Sequence, residues 1–303
     1  MHTRIPTVWD MESNDPDDFF TLLLLANHPQ IDLQAVTLMP GTPAQVGLVK
    51  WALEKLEKPV PIGVYRREHK SPSVSEWHYK AYGHIPPCDE AEDADFLLAR
   101  ILGPESTLIC GAAPKNLGRV MARMGADFRL GRWVQQGGFA GDSVVPPQYR
   151  LPKFEGRETC PSFNPNGAPQ ETLAGLAHPG IARRLFISKN VCHGVMYDQA
   201  LHQALAPFIA QSPSLALIYQ GMDVYLDKRA EGKAFHDPLA ACCAIDENVG
   251  IWADVEIYRS KGEWGSRLSP TPNAQISIHY DAERFFNVLT ASSPDGPRIR
   301  EEP

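Results

Sequence analysis

The stretch Val8-Trp9-Asp10-Met11-Glu12-Ser13-Asn14-Asp15-Pro16-Asp17-Asp18 constrains this chain more than any other part of it. An apolar run, residues 5–9, leads into it, and a strongly apolar run, residues 19–26, leads out. The first reads as a strand; the second is too long and too Leu-rich for a short strand and reads as a buried helix. The carboxylates of Asp10, Glu12, Asp15, Asp17 and Asp18 therefore crowd one loop between two buried elements. Partly buried carboxylates lose solvation and repel each other. A hard divalent cation removes both costs, with oxygen ligands at ~2.3–2.6 Å for calcium or ~2.0–2.1 Å for magnesium. Asp17 and Asp18 also suit the first turn of a helix that Pro16 starts. That account leaves Asp10 and Glu12, at the end of an apolar strand, unexplained.

Beyond the first helix, residues 32–38 read as a strand, 45–56 as a helix with Val46, Val49, Leu53 and Leu56 on one side, and 60–64 as a third strand. Such βαβαβ alternation predicts a parallel sheet with right-handed crossovers, and ligands outside the carboxyl ends of its strands. The acidic loop and the loop 39–43 both lie at that edge. Residues 66–93 are polar and irregular and carry Trp77, His78, Tyr79, Tyr82 and His84. They read as a binding segment or as a surface insertion. A helix over 94–102, a strand over 106–110, a turn into another helix from 111–116 and a strand over 132–136 follow, ending at Gly137-Gly138. Residues 139–167 are rich in Pro and Gly. Then come a helix over 169–177, a strand over 184–187, two or three helices within 195–230, and an apolar helix over 239–245 that Phe235-His236-Asp237-Pro238 opens. Strands over 251–258 and 275–279 precede a last helix, 283–289, capped by Asp281. Residues 1–291 are thus expected to form a single α/β domain, with a mostly parallel, Rossmann-like central sheet flanked by helices. Residues 292–303 are expected to be a polar, flexible tail.

The length of 303 residues suits one such domain, and 43% hydrophobic residues suffice for a large core. A formal net charge of −7 argues against nonspecific nucleic-acid binding. No uninterrupted apolar run reaches the ~18–20 residues that span a bilayer, and no signal peptide is visible, so a cytoplasmic location is expected. The six cysteines form no C-x-x-C pair and read as free thiols, with Cys242-Cys243 packed in an apolar helix.

A second candidate for the site is His236-Asp237-Pro238. Asp before Pro is also ordinary helix-start chemistry, and spacing alone does not choose between the two. Together the two stretches carry a resemblance. The acidic loop resembles the amino-terminal Asp-x-Asp-x-Gly-x-Asp-Asp signature of the inosine-uridine-preferring nucleoside hydrolase family, with Asp10, Glu12, Asp17 and Asp18 at the four acidic positions. Here Glu12 replaces an Asp, the Gly is absent, the loop is one residue longer, and Asp15 is an extra acid. The family also has a late His-Asp-Pro, in which the Asp ligates calcium and the His faces the leaving base. Weaker matches lie between. Cys110-Gly111-Ala112 resembles a turn whose main-chain carbonyl ligates the metal, with Cys110 at that position. Gln136-Gly137-Gly138 resembles a Met-Gly-Gly. Ser162-Phe163-Asn164 resembles a Glu-Phe-Asn that holds ribose hydroxyls, and Thr42 stands where Asn is usual.

The resemblance implies a metal-dependent N-ribohydrolase, using Ca2+ rather than Mg2+, that releases base and ribose from a small nucleoside-like substrate. It implies metal ligands Asp10, Glu12, Asp18, Cys110 and Asp237. Glu12, or else Asp10, would be the base, and His236 the acid. Asp17, Asn164 and Thr42 would meet the substrate, with Trp77, His78, Tyr82 or Trp264 stacking on its base. It also implies a homodimer or homotetramer. Two other readings stay open: a metal-dependent phosphate-ester hydrolase, although no lysine closely follows the acidic loop and no Gly-rich phosphate cradle is present, and a catalytically silent nucleoside- or sugar-binding protein.

Overall fold

Asp10 belongs to an interior strand of the molecule, and most of that strand is buried on both faces. In the computed structural model, which describes residues 4–66 and 71–291, the first half of the chain runs β1 (Ile5–Met11), α1 (Pro16–Asn27), β2 (Ile31–Leu38), α2 (Pro43–Lys55), β3 (Ile62–Val64), α3 (Glu76–Tyr82), β4 (Glu92–Asp93), α4 (Ala94–Ile101), β5 (Thr107–Cys110), α5 (Lys115–Met124) and β6 (Leu130–Gln136). The second half runs β7 (Thr159–Cys160), α6 (Phe163–Gly167), α7 (Pro169–Ala177), β8 (Ile181–Ile187), α8 (Lys189–Cys192), β9 (Met196–Tyr197), α9 (Gln199–Leu205), α10 (Pro213–Leu226), β10 (Lys233–Ala234), α11 (His236–Ile245), β11 (Gly250–Ser260), β12 (Glu263–Leu268), β13 (Ala274–Tyr280) and α12 (Ala282–Leu289).

Eleven strands form one sheet in the order β4-β3-β2-β1-β5-β6-β8-β13-β11-β12-β7. Pairing is parallel from β4 through β13 and antiparallel from β13 to β7. The expected mostly parallel α/β architecture is therefore present. The short arm β7–β12 lies outside the expectation, because β12 and β7 are brief strands inside polar, Gly- and Pro-rich sequence. The segment 66–93, read as irregular, contains α3 and β4. The tail 292–303 lies outside the described residues.

Alternate residues of β1 face two cores. Val8 joins Leu108, Trp133 and Phe186 on one face, while Trp9 and Met11 join α1 and α11 on the other. Burial on both faces is the normal condition of a parallel strand covered by helices. Helix α11 is buried from Asp237 to Ile245, which places Cys242 and Cys243 in packing, as expected. The parallel strands end at one edge of the sheet. Glu12 follows β1 there, Gly111 follows β5, Gln136 closes β6 and Lys189 follows β8.

Candidate active site and metal centre

A cavity of about 280 Å³ opens at this edge, lined by the carboxylates of Glu12, Asp15, Asp17, Asp18 and Asp237 and by Gly111, Gln136, Ser162, Phe163, Asn164, Lys189, His193 and His236. A larger hollow of about 630 Å³ lies at the opposite, amino-terminal edge, among Arg4, His28, Asp32 and Lys58, and holds no comparable group of carboxylates. The expectation that ligands bind at strand carboxyl ends selects the smaller one.

Asp17 and Asp18 occupy the first turn of α1, which starts at Pro16. The bland reading of these two acids is thus true of their backbone. Their side chains are nevertheless buried and point at α11. Carboxylate oxygens of Asp17, Asp18 and Asp237 lie within 4.8 Å of one another. Asp237 does not cap its helix: α11 begins at His236, and the backbone N–H groups of His236 and Asp237 donate to Oδ2 of Asp17 at 3.1 and 3.4 Å. Oδ1 of Asp237 is buried without a hydrogen-bond partner. The backbone approaches closely here, since a Cβ on Gly111 would stand 2.8 Å from that oxygen and 2.3 Å from the Trp9 ring. The Glu12 backbone N–H donates to Oδ1 of Asp18 at 3.0 Å, tying the loop to the helix.

The electrostatics follow from burial and crowding. Burial, then the neighbouring Asp237 and Asp17 carboxylates, pushes Asp18 well above the usual carboxyl range. Burial and Asp17 do the same to Asp237, with Lys233 opposing. Glu12 rises to about 7, through burial and the charge of Asp10, against the Ala113 N–H that it accepts. These shifts describe the carboxylates without a cation. They state how strongly the group of acids needs positive charge.

One positive charge is already present, and the sequence did not point to it. Lys233, on β10, is 6% exposed and places Nζ 2.9 Å from Oδ1 of Asp17 and 3.1 Å from Oδ2 of Asp15. Burial disfavours its charge, but the two carboxylates outweigh burial and hold it above its ordinary range. Lys233 pairs with only two of the five carboxylates on the cavity wall, so the unpartnered Asp237 oxygen and the group around it fit a divalent cation as well. Asp17, Asp18 and Asp237 are the acids whose oxygens the fold gathers there, and Glu12 lines the same cavity.

Several expected residues are elsewhere. Asp10 is wholly buried behind the wall, where its Oδ1 accepts from Thr37 Oγ1 at 2.6 Å and Asn116 Nδ2 at 2.8 Å. Burial raises it to about 6, and its Oδ2 has no ordinary partner, with the Cys110 thiol nearby. Gly111 rather than Cys110 lines the cavity, and the Cys110 carbonyl accepts from Gln135 Nε2 at 3.2 Å. Thr42 caps α2 in a reciprocal capping box with Gln45, and its hydroxyl donates to the Pro72 carbonyl. Trp77, His78 and Tyr82 are also not brought to the cavity. They pack on α1 and α10, with Trp77 and Tyr82 donating to the carbonyls of Gly221 and Leu217. Gly221 permits this, because a Cβ there would meet Tyr82 Oη at 2.2 Å. His78 is fully buried, its ring 5.4 Å from Phe19. Trp264 is buried in the second core and donates to Asn166. The aromatic ring that does line the cavity is Phe163, 79% exposed.

Asn164 and His236 line the cavity. Asn164 Nδ2 donates to the Gly111 carbonyl at 2.7 Å and to Gln136 Oε1 at 2.8 Å, which leaves its own carbonyl oxygen for a ligand. His236 Nδ1 stands 3.2 Å from the Cys192 carbonyl. A carbonyl only accepts, so Nδ1 carries the proton, and Nε2 is the atom left for the cavity. Burial lowers the basicity of His236, with Asp17 partly restoring it.

No protein-family model matches the chain. A protein of Aquifex aeolicus described as uncharacterized is 27% identical over 270 residues, covering 86% of this chain and 89% of that one. Among solved structures, the chain is similar to a plant nucleoside hydrolase (TM-score 0.68, 16% identity, covering 94% of this chain and 97% of that one). It is also similar to a purine-preferring ribonucleoside hydrolase from Gardnerella vaginalis (0.67, 15%, 94% and 97%) and to an inosine-uridine preferring nucleoside hydrolase from Bacillus anthracis (0.67, 14%, 94% and 98%). These likenesses span nearly the whole chain, and the fold is that of the nucleoside hydrolases, the family that the acidic loop resembles. Among the described residues no helix is long and apolar enough to cross a membrane.

Proposed function

We propose that this protein hydrolyses the N-glycosidic bond of a ribonucleoside or a related N-riboside, with calcium at the acidic end of the cavity. The observation that carries this reading is the ring of Asp17, Asp18 and Asp237 oxygens within 4.8 Å, in a cavity that also presents Asn164 and His236. Glu12, Asp18 and Asp237 would hold the ion. When bound, a divalent cation supplies Lewis acidity and an anchor for a sugar diol.

The protein groups have separate roles. Glu12 takes the proton from the water that attacks C1′, since its carboxylate lines the cavity while that of Asp10 does not. The Asn164 carbonyl and Asp17 accept from ribose hydroxyls. As the C1′–N bond breaks, its electron pair passes to the base through an oxocarbenium-like state. His236 donates a proton to that base. With Nδ1 bound to the Cys192 carbonyl, only the imidazolium form can donate from Nε2, so leaving-group protonation weakens as pH rises. Phe163 is the ring available to stack on the base. The reading carries with it a cytoplasmic homodimer or homotetramer, which light scattering tests for assembly.

A catalytically silent binding protein is the second reading, and Lys233 favours it. Both oxygens of Asp17 are already engaged, by an ammonium and by the start of α11. A panel of ribonucleosides assayed for free base, with calcium and with chelator, separates the two. Calcium-dependent base release is expected. Binding without release over long incubation would sink the hydrolytic reading.

A further inference from the structure

Basic side chains gather at the same cavity as the acids. Lys189 lines the cavity and donates from Nζ to the Pro161 carbonyl at 2.8 Å, beside Ser162. His193 lines it too, its ring 4.7 Å from that of His236. Lys153 Nζ stands 2.6 Å from His193 Nδ1. Both lysines lie over the Phe154 ring, at 5.0 and 5.7 Å, so one aromatic platform holds two cations on the same rim. None of the ion pairs among the described residues includes Lys153 or Lys189. Position 162 supplies no charge: Ser162 is 1% exposed, and its hydroxyl accepts the Gly138 N–H at 2.9 Å.

In a chain of net charge −7, two ammonium groups in no ion pair among the described residues, one lining the cavity and the other bonded to the His193 ring that lines it, need an explanation, as crowded carboxylates do. Like charges held close cost free energy that an anion of the substrate relieves, and ammonium–phosphate bonds are of the strong, charge-assisted kind. We infer that the substrate is an anionic N-riboside, a ribonucleoside bearing a phosphate on its 5′ oxygen, and that Lys189, flanked by Lys153 and His193, forms the subsite for that anion. This inference rests on the N-riboside reading for the identity of the sugar. With the ring hydroxyls at the acidic end and the C1′ bond between Glu12 and His236, the 5′ oxygen is the remaining exocyclic group of the ribose. The rest of the lining is Gln136, Ser162, Phe163, Lys189 and His193, among which Lys189 is the ammonium. A carboxylate on the base is the other source of the same anionic chemistry.

The test compares free-base release from inosine, inosine 5′-monophosphate and orotidine at fixed calcium, with calorimetry of ribose 5-phosphate against ribose, for the wild type, Lys189→Ala and Lys153→Ala. Both side chains reach solvent, so both variants are expected to fold. The wild type should prefer the 5′-phosphate in kcat/KM, and Lys189→Ala should cut that preference and weaken ribose 5-phosphate by roughly 10–100-fold, as for loss of a hydrogen bond to a charged group. Lys153→Ala should act in the same direction and less. No base release from any compound, with ribose 5-phosphate still bound through Lys189, removes the hydrolytic reading and keeps the anion subsite. A preference for orotidine that disappears in Lys189→Ala moves the anion to the base and overturns the 5′ assignment. Failure of ribose 5-phosphate to bind, or equal use of inosine and its phosphate by wild type and Lys189→Ala, overturns the subsite.

Discussion

If the proposed calcium site is real, the cation-free protein should have a stability that falls as pH rises, and added calcium should reverse the trend. Burial raises Asp10 from 3.8 to about 6 and Glu12 from 4.5 to about 7 in the cation-free protein. A carboxyl whose folded pKa is raised contributes stability that is fully present below its unfolded value and is lost as pH rises through the folded one. For this pair the window runs from about pH 4 to about pH 7. At about 1.4 kcal/mol per unit, each group forfeits roughly 3 kcal/mol across it as an upper figure. Asp18 and Asp237 act in the same direction. Calcium, on the proposed reading, would bind the ionised forms, and at ~1,000 times its Kd would stabilise by about 4 kcal/mol. The assay is thermal unfolding at pH 5 and pH 8, each with chelator and with calcium. Reading the difference at each pH cancels the buried histidines, whose protonation acts equally in both samples. At roughly 2–4 °C per kcal/mol, or somewhat less for a chain of this size, calcium should raise Tm by about 5–15 °C at pH 8 and little at pH 5. An equal shift at both pH values, or none at pH 8, would refute the placement of a divalent cation among these carboxylates.

Three substitutions probe the parts separately. Asp237→Asn should weaken calcium by at least ~10–100-fold, the cost of losing even an outer partner of a metal; since Asp237 caps nothing, unchanged affinity in titration would remove it from the ligand set. His236→Ala should lower kcat for a natural nucleoside by ~10²–10⁴-fold while nearly sparing a riboside with an activated aryl leaving group. Equal losses on the two substrates would take His236 out of leaving-group chemistry. Lys233→Met leaves Asp17 buried and unpaired, so the cation-free protein should lose ~3–5 kcal/mol in denaturant unfolding, and calcium affinity should rise because a competing positive charge has gone; weaker calcium binding would show that Lys233 organises the site instead.

What could be read from the sequence was what is dense locally. Hydrophobic periodicity gave most of the parallel strands and their helices to within a few residues, because β5 and most of β1 are buried on both faces and leave apolar runs. Five acids within nine positions, from 10 to 18, marked the site for the same reason. The failures were of two kinds. Trp77, His78 and Tyr82 looked like a ligand-facing cluster, and nothing in their own segment reveals that Gly221, far along the chain, opens α10 to receive them. Lys189, His193 and Lys233 were invisible for the opposite reason: each is an isolated basic residue, delivered to the cavity by the end of β8 or by the two-stranded pairing of β10 with β9.

The two halves of the cavity therefore differ in how they are encoded, and the difference bears on chemistry. The acidic half is built largely by one loop and one helix start, so its charge density is fixed together with the fold of the first βα unit. The basic half is assembled from Lys153, Lys189 and His193, which lie in loops or the short α8 beyond the central strands. Their substitution disturbs little packing, because Lys153 is exposed and Lys189 and His193 are half-buried. On the proposed reading, the acids that would hold the metal sit with the first βα unit, and the lysines that would select the substrate sit in loops outside the central strands. Lys189→Glu makes the point measurable. It should preserve the calcium-dependent rise in Tm at pH 8 while abolishing binding of ribose 5-phosphate, and loss of the calcium effect in that variant would show that the halves are not separable.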